Sequence, residues 1–162
     1  LKLDGILNAM GSLIRSALKE TTMERRDILK DEIEQLGRVL GQILATFLGF
    51  SSKGKVSEGI EVVNNQLKDQ LDFDFEKLIQ LSGHELLDYL KQWNITSEHM
   101  ESLSNLLMES GRAGLKNCKA DAVSRLQKAL ELLDLADVLT KTVSLERESR
   151  KSGIQKLLKQ CV

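Results

Sequence analysis

Two histidines, two cysteines and a row of acids are the residues of this chain whose types could do chemistry. A metal site on one helix face needs a spacing such as His-x-x-x-His, which stands both rings over one turn. His84 and His99 lie too far apart for that. His84 falls beside Glu85 in the first turn of a predicted helix, and both rings are expected to be exposed or to cap a helix end. A redox or nucleophilic thiol needs a Cys-x-x-Cys pair or an electropositive setting. Cys118 and Cys161 fit no such pattern and are expected to be free structural thiols. Asp69, Asp72, Asp74 and Glu76 alternate as cation-binding acids can. A calcium loop also needs a mid-loop glycine and a terminal Glu at fixed spacing, which this row lacks. Solvated helix ends are its plainer use. No phosphate-binding glycine loop, nucleophile elbow or zinc motif occurs. The sequence therefore predicts no catalytic residue, no metal ligand and no cofactor, and a non-enzymatic protein. Asn94-Ile95-Thr96 is a glycosylation acceptor only in a secreted chain, and helix capping is its simpler use.

Other residues are placed for contact rather than reaction. Gly37, Gly41, Ala45 and Gly49 recur every fourth position and form a ridge along one helix. Small side chains let another backbone approach closely, either inside the chain or as a dimer or partner-helix contact. All six aromatic residues lie between Phe47 and Trp93. Phe73 and Phe75 are two apart and cannot share one helix face. The rings form the main core, or Phe50, Phe73, Phe75, Tyr89 and Trp93 line a groove for a partner, since aromatics dominate binding hot spots.

Charge is uneven along the chain. Residues 1–57 carry a net +2, residues 58–109 a net −8, and residues 110–162 a net +5. Either the C-terminal part docks on the acidic middle, or the chain has two surfaces for different partners. Lys141, Arg147, Arg150, Lys151, Lys156 and Lys159 offer phosphate contacts. Glu146 and Glu148 interrupt that patch and no aromatic stands there to stack bases, so nucleic acid is not the expected partner.

The elements that carry these residues follow from composition and period. The chain has no proline, 4% aromatic, 41% apolar and 29% charged residues. That excludes collagen-like and disulfide-rich scaffolds, and argues against a sandwich or barrel. An all-α fold remains, as one domain over residues 1–162. Residues 1–20 are expected as a peripheral N-terminal helix bearing Leu3, Ile6, Leu7, Met10, Leu13 and Leu18. Thr21 or Thr22 would cap the next helix, where Leu29, Ile33, Leu36, Leu40, Ile43 and Phe47 form a heptad seam. Lys53-Gly54-Lys55 reads as a turn. Ser57 can cap a helix through Leu71, and Asp72 to Glu76 starts a short one. Ser82 and Glu85 form a capping box. A helix after Thr96 would end at Gly111, followed by a loop to Lys119. Ala120 opens a strong helix, and Ser144 caps the last one, within 144–162. The total is seven or eight helices in stacked antiparallel hairpins.

No stretch reaches the ~20 apolar residues of a membrane span, so no membrane partner is expected. The chain starts at Leu1 rather than Met, so a leader or further residues can precede it. The few cysteines suit a reducing, cytoplasmic setting.

Ala122, Leu126 and Ala129 reproduce the small, large, small spacing of the second helix of a tetratricopeptide repeat. Lys53 to Val63 resembles a helix–turn–helix junction of the same kind. The closing proline of the repeat, its tryptophan and tyrosine landmarks and its ~34-residue period are missing. The order from Ile33 to Leu133 also resembles a family of uncharacterised bacterial helical proteins. The matching pieces are Leu36-Gly37 to Leu48, Gly54-Lys55, Leu71-Asp72-Phe73, Leu81 to Leu87, and Leu106-Leu107 to Gly111. That resemblance implies a repeat-like helical fold without assigned activity. The expected function is a protein–protein interaction or scaffold module with a protein or peptide partner. Self-assembly as a homodimer is its alternative.

Overall fold

The computed structural model describes residues 2–117 and 120–161, and every regular element among them is a helix. The seven α-helices are α1 (Lys2–Ser52), α2 (Val56–Leu71), α3 (Phe75–Gln80), α4 (Gly83–Gln92), α5 (Ser97–Gly114), α6 (Ala120–Thr140) and α7 (Leu145–Lys159). A 3₁₀ turn occupies Leu115–Asn117. The all-α class stands.

The helix break expected at Thr21 or Thr22 is absent, because α1 runs through both. Between Ala17 and Arg26 the residues are Ala, Leu, Lys, Glu, Met and Arg besides the two threonines. Most of these are strong helix formers and none is Gly or Pro. A threonine can cap a helix only where something else ends it.

The chain divides into two compact units, residues 1–35 and residues 36–162. The first contains a single helix, the N-terminal part of α1. Its described side chains are all exposed except the half-buried Gly11 and Ile33.

The second unit holds the core. Leu36, Leu40, Ile43 and Phe47 repeat in steps of four, three and four, and all are buried. They join Val63 and Leu67 of α2, Leu78 of α3, Leu86 and Leu90 of α4, and the apolar faces of α5 and α6. Burying a Leu, Ile or Phe side chain fully contributes about 1.5–3 kcal/mol, so this seam anchors the C-terminal part of α1. Ile154 extends the core to α7.

Helix α5 pairs with α6 in antiparallel fashion. Ser104 donates its hydroxyl proton to the Ala129 carbonyl at 2.8 Å, while Gly111, further along α5, lies against Leu126, earlier along α6. A Cβ on Gly111 would stand 2.8 Å from Leu126 Cγ. Gly111 therefore marks a helix crossing and not the helix end expected for it. Helix α5 continues to Gly114, and part of the expected loop is the 3₁₀ turn.

Turn chemistry is mixed. Gly54 has φ +72, and its N–H bonds to the Ser51 carbonyl while Lys55 N–H reaches Phe50, an αL helix ending. Thr96 and Ser144 cap α5 and α7 as their sequence positions suggest. Ser57 does not cap α2, whose first residue is already Val56. Ser82 precedes α4 but makes no side-chain cap bond. The N–H of Gly83 instead donates to the Glu131 carboxylate of α6 at 3.2 Å. Lys128, one turn earlier on α6, donates to both Glu131 and the Leu81 carbonyl. A tertiary staple replaces the local capping box.

Candidate functional site

Of the five rings expected at a partner groove, the structure puts three inside. Phe73, Phe75 and Tyr89 are buried, while Phe50 and Trp93 are half-buried. Phe73 packs on Tyr89 and Trp93 with ring centroids 5.4 and 5.8 Å away. Phe73 and Phe75 reach the same core because they do not share a helix. Asp74 between them is extended, with φ −92 and ψ 103, and an extended chain points residues i and i+2 to one side. The Tyr89 hydroxyl accepts from the Asp74 N–H at 3.1 Å and donates to the Asp74 carbonyl at 3.2 Å. Burial pushes this phenol above its ordinary value of 10.0, and the bond to the Asp74 backbone opposes the rise. Phe73, Phe75 and Tyr89 therefore build core, Tyr89 clamps the α2–α3 turn, and Phe73 and Phe75 also border a cavity of about 290 Å³ beside Asn64 and Lys68.

The small-residue ridge divides. Gly37 faces the His99 ring, which a Cβ there would approach to 3.5 Å. Ala45 is exposed, and a Cβ at Gly41 or Gly49 would meet nothing within 4 Å. The close internal crossings are made by Gly59 on α2, against Phe47 and Phe50, and by Gly111 and Gly114 on α5, not by this ridge.

His99 and Asp74 serve the backbone. His99 is buried and completes a capping box: its N–H donates to Thr96 Oγ1 at 3.3 Å, and its Nδ1 accepts from the Thr96 N–H at 3.1 Å. His84 is exposed. Asp74 caps α3 through the Lys77 N–H, and Glu76 pairs with Arg125 at 3.0 Å. Among the described residues no group of three or more His, Cys, Asp or Glu is placed to hold a metal. Cys161 is half-buried, and Cys118 lies outside the described residues.

The basic end is largely engaged. Arg147 is buried and reaches Asp137 at 2.6 Å, Glu101 at 2.9 Å, and Thr140 Oγ1 and the Thr142 carbonyl at 3.1 and 3.0 Å. Arg150 pairs with Glu101 and Glu146, and Lys151 with Asp134, Asp137 and Glu148. The bond from Lys151 lowers the Asp137 carboxyl below its usual range; burial opposes this and Arg147 adds to it. Burial pulls the Lys151 ammonium down, but its three carboxylate partners outweigh that and raise it. Among the described residues the C-terminal bases meet the acidic middle at Glu76, Glu101 and Glu109, and their remaining ion-pair partners lie within the C-terminal part itself. Lys141, Lys156 and Lys159 stay exposed.

Sequence period did not reveal which apolar residues stay outside. Met10, Leu13 and Ile14 are 54, 70 and 57% exposed on α1, and Ile28 and Leu29 are exposed on the same helix. Val138, Leu139, Val143 and Leu145 are exposed around the α6–α7 connection. Spacing identifies an apolar stripe without saying whether the chain supplies its cover.

A cavity of about 360 Å³ lies where the first turns of α2 and α6 meet the end of α5. Arg125 is among its lining residues. No described helix is long and apolar enough to cross a membrane. No family model, no curated protein and no solved structure matches this chain.

Proposed function

We propose that the protein is a non-enzymatic interaction or scaffold module whose docking face is the N-terminal part of α1. One observation carries this. Met10, Leu13 and Ile14, at positions i, i+3 and i+4, form an exposed apolar patch on a unit that contains no second helix. An amphipathic helix gains most of its stability from packing its apolar face, so such a stripe calls for a partner surface. The helix-in-groove mode fits it, with a protein or peptide supplying the groove. A cytoplasmic setting accords with the absence of a disulfide-framework spacing. We keep a tetratricopeptide-like pairing as the proposal for α5 and α6, supported by Gly111 and Gly114 packed against Leu126 and Ala122.

The test is a photo-crosslinking residue placed at Ile14, with one at the exposed Lys156 as control, in the full chain in cells. Protein adducts at position 14 and not at 156 support the reading. Adducts to a second copy select the homo-oligomeric alternative. No protein adduct at position 14 sinks the docking face.

A further inference from the structure

We infer that the hollow at the end of α1 is a docking site for an acidic peptide segment of another protein, which seats one large apolar side chain there. The hollow measures about 260 Å³ and is lined by Thr46, Gly49, Phe50, Lys53 and Lys55. Thr46, Gly49 and Phe50 stand at i, i+3 and i+4 on one face of α1, and Lys53 and Lys55 belong to the turn that follows it. Gly49 keeps the hollow open, since a Cβ there would meet nothing within 4 Å. Phe50 is half-buried, held against Gly59 of α2, and still reaches the hollow.

Charge selects the partner. No acid lines the hollow. From Gln35 to Ser57 the chain carries Arg38, Lys53 and Lys55 and no Asp or Glu, a net +3. Lys53 and Lys55 are exposed, and neither has an ion-pair partner among the described residues. Glu58, the next acid along the chain, lies in the first turn of α2 and is not among the lining residues. The negative pole of a helix end resides in its unsatisfied carbonyls, and here they are engaged. The Gly49 carbonyl accepts from the Ser52 hydroxyl at 2.9 Å. The Phe50 carbonyl accepts from the N–H groups of Lys53 and Lys55, and the Ser51 carbonyl from that of Gly54. The Thr46 hydroxyl gives its proton to the Gln42 carbonyl at 2.9 Å, so recognition rests on the apolar floor and the two ammonium groups.

Size separates a peptide from a free metabolite. Pockets that enclose a whole small molecule run from about 300 Å³ upward, and this hollow is smaller and open to water. It holds one anchor side chain while the flanking chain lies outside, beside the lysines. A buried anchor of that kind carries most of the affinity, and the surrounding charges set the specificity. A nucleic acid would bring the same negative charge, but Phe50 is the one ring at the hollow and no second aromatic stands beside it to stack successive bases. The site lies beyond Leu36 and is independent of the docking face proposed on the N-terminal part of α1. With both occupied, the chain joins two partners.

The experiment is an amide NMR titration of the full chain at matched ionic strength. The probes are a short poly-glutamate peptide with a central phenylalanine, the same peptide with a central alanine, a poly-lysine peptide with a central phenylalanine, and a short oligothymidylate. The first is expected to give saturable shifts at Gly49, Phe50, Gly54 and Lys55, with the other three about tenfold weaker or more. Gly49→Leu fills the hollow, keeps both lysines and favours the helix, so it should abolish those shifts without loss of fold. Lys53→Glu combined with Lys55→Glu keeps the apolar floor and should reverse the preference toward the basic peptide. The alanine peptide binding as tightly overturns the anchor. Oligothymidylate binding as tightly overturns the partner class. Shifts at these positions that grow with the concentration of the chain alone put a second copy in the hollow and overturn it too. Unchanged binding in Gly49→Leu, or no saturable shift with the acidic phenylalanine peptide, overturns the site.

Discussion

Arg147 on α7 and Asp137 on α6 meet at 2.6 Å, Nε to Oδ1, and this pair closes the last hairpin. Glu101 of α5 takes a second nitrogen of the same guanidinium at 2.9 Å. One side chain therefore joins three helices, with Thr140 Oγ1 and the Thr142 carbonyl accepting from its third nitrogen.

Replacing Arg147 with Leu should lower the melting temperature by several degrees, because Asp137 and Glu101 would lose a buried shared cation. Arg150→Leu should cost much less, since that side chain is more exposed and its bonds are longer or local. Circular dichroism melts of the two variants decide it. Equal, small losses would make the Arg147 cluster an ordinary surface feature.

Acid should unfasten the same hairpin. Asp137 has its carboxyl lowered from 3.8 in the folded chain, so its contribution is complete above that value and is lost as pH falls through the lower folded one. Lys151 is raised above 10.5, so its contribution is present below that value and fades as pH climbs past it. Urea midpoints measured against pH should therefore fall on both flanks. Asp137→Asn should flatten the acid flank; a variant curve parallel to the wild type there would remove Asp137 from the account.

Two glycines should respond in opposite directions to the same change. Gly41→Ala meets nothing within 4 Å and should stabilise the helix by up to about 1 kcal/mol. Gly111→Ala puts its Cβ 2.8 Å from Leu126 Cγ and 3.1 Å from the Ala122 carbonyl oxygen, and should destabilise by about 1–3 kcal/mol. Denaturant unfolding of both reports the signs directly. A destabilised Gly41→Ala would mean that the outer ridge is covered in solution.

Phe73→Ala should cost about 3–5 kcal/mol, the range for deleting a buried aromatic ring. Trp93 should report it, since its ring centroid lies 5.8 Å from that of Phe73 and its fluorescence would shift to longer wavelength. A loss below about 1 kcal/mol would return Phe73 to the role of a groove residue.

Much of the fold was legible because helical period and capping chemistry are local. The later part of the Leu29–Phe47 seam, from Leu36 on, the turn at Gly54 and the caps at Thr96 and Ser144 all follow from neighbours in the chain, whereas Leu29 is exposed and Ile33 half-buried. What escaped depended on distant partners or on a conformation that helical period hides. Gly111 looked like a helix end until α6 was placed against it. The capping box at Ser82 gave way to Glu131, remote in sequence. Helical geometry sets Phe73 and Phe75 apart, but Asp74 between them is extended and brings them to one side. Arg125 drew no notice in the sequence, for its burial and its bond to Glu76 are properties of packing alone.

The division at Leu36 has a consequence for how the sequence can drift. Every described buried side chain lies at or beyond that residue. Substitutions at 24–32 face water and answer only to helix propensity and charge, so they can accumulate, be trimmed or be exchanged with little damage to the core. The stretch 24–32 is therefore where the sequence can change most freely without touching the core.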